Sequence, residues 1–325
     1  MSLLSPHLPT LQMLTYLVRR LLLVLVVVWG TATLAFFLLF LSGDPVNLLL
    51  PLDATPEVRE QFRKANGFDR PVWQQYLSYM GRALQGDLGI SLRNQTPALG
   101  LVLERMPASM VLAGAALLFA VIFGVLAGVI AAVRKGTTLE FVVLFFALLG
   151  QSLPVFWLAL MLILVFGLEL RWLPISGYGA GPIPGLPALA NLVLPAIAVG
   201  TFSMAAITRL TRGGVLRELR SDHVRTARAK GLSERVIIYK HALRNAAIPV
   251  VTVIGLQLGN LLSGAVITET IFAWPGVGRL VLTAVTQQDF PVVQAAVIVF
   301  AVLLAVINLV VDLLYGVLDP RVRYA

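Results

Sequence analysis

Val224-Arg225-Thr226-Ala227-Arg228-Ala229-Lys230-Gly231-Leu232-Ser233-Glu234-Arg235 is the centre of a basic, hydrophilic segment, Arg209 to Arg244, set between two strongly apolar stretches. A chain that only sat in lipid would have no use for a long polar insert on one face, so the segment predicts a bound partner on that side. From Ser221 to Tyr239 it holds no proline and a single glycine, Gly231. Asp222 is expected to cap a first short helix ending near Lys230-Gly231. Ser233 with Glu234 is expected to start a second, running through Tyr239 and Leu243 and stopping before Pro249. The resulting shape is two short helices about a glycine turn. Ala227 and Ala229 are small enough for another surface to come close, while Arg225, Arg228, Lys230, Glu234 and Arg235 offer polar contacts around Leu232 and Ser233. Attraction to anionic lipid is the simpler reading of these charges, but it needs neither the length nor the turn.

Outward from this segment the chain is dissolved in lipid. Of 325 residues, 58% are hydrophobic and 13% charged, with a mean hydropathy of +0.88, well above a soluble domain of this size. A helical crossing of the hydrocarbon core takes roughly 20 apolar residues. Six stretches meet or approach that length: Leu17 to Leu41, Ser109 to Val133, Leu139 to Phe166, Leu186 to Thr208, Pro249 to Thr268 and Val292 to Val317. The expected fold is all-α, a polytopic membrane protein of about six transmembrane helices. Pro195 inside the fourth stretch predicts a kink, because a freed carbonyl can be satisfied by neighbouring helices. The first span lacks a small-residue cleavage site before Gly43-Asp44-Pro45 and is expected to stay as an anchor.

Charge gives the sidedness. Lys and Arg near span ends are retained in the cytoplasm. Placing both termini inside puts sixteen of the 25 basic residues there: Arg19, Arg20, Arg134, Lys135, Arg321, Arg323 and the ten of the insert. The net charge of +9 is largely this asymmetry, which argues against a nucleic-acid partner. The loop from about Ser42 to Met106 then lies outside, its basic residues balanced by Asp44, Asp53, Glu57, Glu60, Asp69, Asp87 and Glu104. Within it, Thr55-Pro56-Glu57 starts a helix to about Ala65, ended near Asn66-Gly67. Pro71 opens another whose Trp73, Tyr76, Leu77 and Met80 share one face, as an interfacial aromatic belt would.

Searches for chemistry narrow the function. No Gly-x-x-x-x-Gly-Lys-Ser/Thr loop is present to cradle ATP phosphates, so nucleotide-driven work would need another chain. His7, His223 and His241 form no His-x-x-x-His pair, Gly-x-Ser-x-Gly is missing and cysteine is absent, so no cofactor or metal is expected on this chain. The spans do carry polar residues: Gln151 and Ser152 before Pro154, Thr252, Gln257, Asn260 and Ser263 in the fifth, and Asn308 and Asp312 in the sixth. Groups of this kind face other helices or a watery cavity. Thr252 and Ser263 read as interhelical contacts, and Gln151, Ser152, Gln257 and Asn260 as either such contacts or the lining of a pathway. Gly124-x-x-x-Gly128 and Gly255-x-x-x-Gly259 let helix backbones approach closely, within the chain or between subunits.

The insert, continued through His241-Ala242-Leu243-Arg244-Asn245-Ala246 to Pro249, resembles the cytoplasmic signature of inner-membrane permease subunits of ATP-binding-cassette importers, in the oligopeptide and dipeptide branch. The likeness extends over nearly the whole chain: Arg19-Arg20, Asp69-Arg70-Pro71, Gly86-Asp87-Leu88-Gly89-Ile90-Ser91, Arg105-Met106-Pro107-Ala108-Ser109 and Glu269-Thr270-Ile271-Phe272-Ala273-Trp274-Pro275-Gly276-Val277-Gly278. Against the wider importer pattern (Glu-Ala-Ala, three residues, Gly, nine residues, Ile-x-Leu-Pro), only Ala227, Gly231 and Leu243 match, as is common in the peptide branch. The resemblance implies a type I importer permease fold. It divides the chain into an anchor helix with outer loop, 1–108, and a five-helix core, 109–325, carrying a coupling loop at 209–248. It also implies a second homologous permease chain, two cytoplasmic ATPase subunits that bind the ATP and magnesium, an extracytoplasmic binding protein, and a bacterial or archaeal cytoplasmic membrane. The chain itself would not be an enzyme. Related branches carry nickel or glutathione, and an ion-coupled carrier or channel is the rival outside the family.

Overall fold

The structure, a computed structural model, describes residues 8–41, 46, 50, 54–65, 67–181 and 187–318. His7, Asp44, Asp53, Asn66, Leu186, Arg321 and Arg323, and the side chains of Thr252 and Ser263, lie outside the described residues. Among the described residues the chain is helical, with one isolated bridge, Ile90 to Pro97, as its only β pairing. The helices are α1 (Leu8–Leu41), α2 (Pro56–Ala65), α3 (Val72–Leu84), α4 (Ala98–Val133), α5 (Thr138–Ser152), α6 (Val155–Leu162), α7 (Leu189–Glu218), α8 (Asp222–Ala229), α9, α10 (Val277–Thr286) and α11 (Phe290–Leu318). A π turn, Ile163–Glu169, continues α6. α9 is assembled from Glu234–Val236, a π segment Ile237–Ala242, and Leu243–Ile271, joined without a break by residues in helical conformation.

Four described helices, α1, α4, α7 and α11, are long and apolar enough to cross a membrane, and the α5–α6 pair brings the number to as many as five. The fifth expected span falls in α9, whose described side chains include the apolar run Val253–Leu262. Three expectations need correction. The stretch Leu139 to Phe166 is not one straight span: α5 and α6 meet at 108°. Pro154 has no N–H to give the helix and pushes Leu153 into the extended region, φ −78° and ψ 134°. α4 begins at Ala98, so Glu104, Arg105 and Met106 are helical and the helix starts eleven residues before the expected span at Ser109. The helix opened by Glu234 does not stop before Pro249 but runs through it to Ile271, a distance of roughly 57 Å at ~1.5 Å per residue.

The chain divides into two compact units, Met1–Arg105 with Leu280–Val310 and Pro320–Ala325, and Met106–Arg279 with Val311–Asp319. In the first unit, α3 is pinned to α1 by a 2.9 Å hydrogen bond between Thr33 Oγ1 and Tyr76 OH, and by Phe36 and Phe37 packed on the rings of Tyr76 and Tyr79. Tyr76 therefore faces protein, while Trp73 and Leu77 on the same helix stay exposed. The start of α11 is held in the same way: buried Asp289 accepts from Ser91 Oγ at 2.5 Å and from the Leu92 N–H at 3.2 Å. Gln294 Nε2 donates to the Ala35 carbonyl at 2.8 Å.

In the second unit α4, α7 and α9 pack through small residues. An ideal Cβ on Gly124 would come within 2.9 Å of Ile207, and one on Gly128 within 2.6 Å of Thr211, so this glycine pair seats α4 directly on α7. Gly200 of α7 meets the Ala116 carbonyl in the same seam. Lipid offers no hydrophobic reward for burying apolar groups, so close van der Waals contact along such seams supplies the association. Gly255 of α9 abuts Val311 in like manner. Arg212 of α7 is ion-paired to Glu140 at the start of α5, and Glu140 Oε2 also accepts the Gly136 N–H at 2.5 Å.

Candidate functional site

The basic insert is more helical than a loop. Arg209, Arg212 and Arg217 ride on α7, which continues past its apolar part to Glu218, and only Leu219–Ser221 and Lys230–Ser233 interrupt the helices. α8 starts one residue earlier than the capping expectation implies. Ser221 occupies the cap position without a side-chain cap bond, and Asp222 sits in the first turn, 3.3 Å from Arg225. An acid there favours the positive end of the helix without being its cap.

Val224, Ala227 and Ile237 form a small buried cluster with Leu219 against it, and this folds α8 back onto the beginning of α9. Ala227 is thus turned inward, 6% exposed, and packs the insert together instead of admitting a foreign surface. α8 ends in a Schellman motif: the Gly231 N–H donates to the Arg228 carbonyl at 2.9 Å and the Leu232 N–H to the Ala227 carbonyl at 3.3 Å. Gly231 has φ +77°, a left-handed conformation that only glycine adopts freely, although a Cβ there would meet nothing within 4 Å. Arg228 closes the turn, donating from Nε to Glu234 Oε1 at 2.8 Å and from Nη2 to Oε2 at 3.3 Å. The hydrogen bonds from Arg228 hold the Glu234 carboxyl below its ordinary pKa, and those to Glu234 raise that of Arg228.

With Arg228 and Glu234 engaged, Lys230 and Arg235 are exposed, and their side chains make no hydrogen bond or ion pair among the described residues. Beside them lie Leu232, in the turn, and Val236 and Tyr239, three residues apart on the start of α9, 40%, 37% and 60% exposed. The face is therefore basic with an apolar strip. Val236 and Tyr239 escaped the sequence reading, although their spacing from Leu232 signals them.

The four polar span residues divide. Asn260 Nδ2 donates to Gln257 Oε1 at 3.1 Å, one turn apart on α9, with Gln257 buried and Asn260 exposed. Ser152 Oγ bonds back to the Leu148 carbonyl at 3.0 Å, and Gln151 is half-buried just before the α5–α6 bend. No hydrogen bond among the described residues joins the two pairs.

At the other end of α9 lies a corner that sequence reasoning noted only as part of a motif. Glu269 is 1% exposed, and its Oε1 accepts from Ser109 Oγ at 2.6 Å while Oε2 accepts the Arg279 N–H at 3.1 Å. Ser109 Oγ in turn accepts the Val277 N–H at 2.9 Å. Two first-turn N–H groups of α10, which have no partner within their own helix, are thus capped from α4 and α9. Trp274, fully buried, donates from Nε1 to the Ala108 carbonyl at 2.9 Å. A Cβ on Gly276 would overlap the Glu269 carboxylate, so the chain can turn here only as glycine.

Residues 124–324 match the family described as binding-protein-dependent transport system inner membrane component, and residues 13–113 its N-terminal membrane component. The di/tripeptide transport system permease protein of Pseudomonas aeruginosa (strain UCBPP-PA14) is 43% identical over 334 residues, covering 96% of this chain and 99% of that protein. The glutathione transport system permease protein of Escherichia coli O6:H1 (strain CFT073) is 39% identical over 313 residues, covering 96% and 100%. Among solved structures, inward-facing conformations of the MetNI methionine ABC transporter share the fold at 16% identity, with a TM-score of 0.53 over 67% of this chain and 96% of that one. With a basic two-helix insert, small-residue seams and near full-length likeness to transport permeases, the chain belongs to the binding-protein-dependent transport system inner membrane components, the permease subunits of ABC importers.

Proposed function

We propose that this chain forms half of the translocation pathway of an ATP-driven peptide importer and couples that pathway to separate ATPase subunits. A homologous second permease supplies the other half, and an extracytoplasmic binding protein delivers the peptide. The anchor and outer loop, 1–108, stand apart in role from the 109–325 core. Both termini and the insert face the cytoplasm, in keeping with the sixteen basic residues that collect on that side. The carrying observation is the insert itself: a turn fixed by Gly231 and Arg228–Glu234, an exposed face of Lys230, Arg235, Leu232, Val236 and Tyr239, and no break in α9 beyond its Arg235, Val236 and Tyr239. The face suits an acidic-rimmed apolar pocket on each ATPase. Arg225 and Ser233 flank it, and Ala227 holds it in shape. Gln257, Asn260, Gln151 and Ser152 line the pathway. The chain carries no catalytic residues and binds no cofactor; ATP and magnesium belong to the ATPases.

The test is uptake into proteoliposomes holding the permease pair, the ATPases and the binding protein. Labelled di- and tripeptides should accumulate only with ATP inside and binding protein outside. A gradient-driven uptake indifferent to ATP would sink the reading. The 39% identity to a glutathione permease favours one competing cargo, so glutathione and nickel are run as rival substrates.

A further inference from the structure

We propose that Ser109 and Glu269 form a positioning bracket that ties the far end of α9 to α4, so that motion of the insert reaches the start of α10 instead of dissipating at a loose corner. The inference rests on the docking role proposed for the insert. α9 is one helix from Glu234 to Ile271, and the insert turn lies at one end and Glu269 at the other. A rod passes on displacement only if its far end is held. Here it is held by side chain and main chain together: Glu269 Oε1 accepts a hydrogen bond from the Ser109 hydroxyl, Oε2 accepts one from the Arg279 N–H, and the Glu269 carbonyl accepts one from the Trp274 N–H at 2.7 Å.

The proton inventory closes. Ser109 has one hydroxyl proton, given to Glu269, and its oxygen is free to accept from Val277. Apolar residues of similar volume would fill the space but leave the Val277 and Arg279 N–H groups without an acceptor. A carboxylate aimed at the first-turn N–H groups of another helix adds direction, because those groups point along the helix axis. Gly276 and Gly278 support the same reading, since a Cβ on either would run into Glu269, at 2.9 Å for Gly278.

The experiment uses the whole transporter in proteoliposomes with Ser109→Ala, Glu269→Gln and the double variant. Glutamine keeps the size, and with its carbonyl oxygen on the Arg279 N–H its NH2 group meets Ser109 Oγ, so the Ser109 hydroxyl loses its acceptor. Four quantities are measured: permease assembled with its ATPases, basal hydrolysis, hydrolysis stimulated by loaded binding protein, and uptake per assembled transporter. Assembly and basal hydrolysis should stay near wild type, while stimulation and uptake fall about tenfold in each single variant and no further in the double. Wild-type uptake per transporter in Glu269→Gln, additive losses in the double variant, or a fall in uptake that only follows a fall in assembly would each overturn the bracket. If Glu269→Gln does not assemble, Ser109→Ala, which removes one oxygen, carries the same readout. Failure of the docking role looks different: the wild-type transporter itself then shows no ATP-dependent uptake.

Discussion

The two ends of α9 solve opposite problems with the same kinds of residue. At the insert end the charges sit in water: the side chains of Arg228 and Glu234 are 44% and 61% exposed, and Gly231 is needed for its backbone angle in otherwise open space. At the corner end the carboxylate of Glu269 is enclosed, and Gly276 is needed for room. One end is shaped and left available, and the other is fixed and closed. An available end suits a partner that comes and goes, whereas a closed end suits a joint that must keep its angle.

The sharpest way to break this comparison is at the closed end. Gly276→Ala places a methyl on the Glu269 carboxylate, and neither it nor the buried Trp274 beside it can withdraw. Overpacking of this kind costs about 1–3 kcal/mol. Gly276→Ala is expected to lower the thermal midpoint of the purified permease pair and to abolish uptake. Gly264, also on α9, has nothing within 4 Å of its would-be Cβ. Gly264→Ala should therefore leave the midpoint unchanged or raised. Equal effects at the two positions would mean that crowding at the corner is not what glycine relieves.

At the open end, Gly231→Ala and Gly231→Arg separate angle from bulk. Both strain a residue at φ +77° by about 1 kcal/mol, and the Cβ of either meets nothing within 4 Å. Alanine should retain most uptake. Arginine should still assemble but hydrolyse ATP without transport, because its side chain would stand on the face proposed for ATPase docking. Normal substrate-stimulated hydrolysis and uptake in Gly231→Arg would remove the insert from the coupling role.

Most of the insert was legible in the sequence because its determinants are local. Gly231, followed two residues later by the helix-starting pair Ser233-Glu234, marks a turn within a short stretch, and the helix ended at Ala229 with Gly231 in the left-handed position. The bend at Pro154 was only half legible: proline marks a break, but the residue types alone do not give its 108°. Pro249 misled in the other direction, since the helix carries through it. The inward turn of Ala227 depends on Ile237 folding over it, a contact across a turn that residue type alone does not reveal. The bracket was the least legible part. Ser109 and Glu269 are 160 positions apart, and a lone glutamate after an apolar run reads as a span boundary until the fold brings a hydroxyl to it.

The smallest expected effect tests whether exposure really divides the two ends. Glu234 is held below its ordinary value of 4.5 by Arg228, so the pair contributes fully above that pH and is lost as pH falls through the lowered value. Between pH 6 and 8 its contribution should therefore be flat, about 0.2–1 kcal/mol by a double-mutant cycle of Arg228→Ala and Glu234→Gln, and weaker in high salt. Water competes for both groups, and the Schellman bonds of Gly231 and Leu232 persist without them. Uptake in either variant should fall no more than a few-fold, far less than at Gly276 or Gly231. A coupling energy of several kcal/mol, insensitive to salt, would mean that the Arg228–Glu234 pair is enclosed when the transporter is assembled. The insert end would then be a second fixed joint, and the contrast drawn between the two ends of α9 would hold only for the isolated chain.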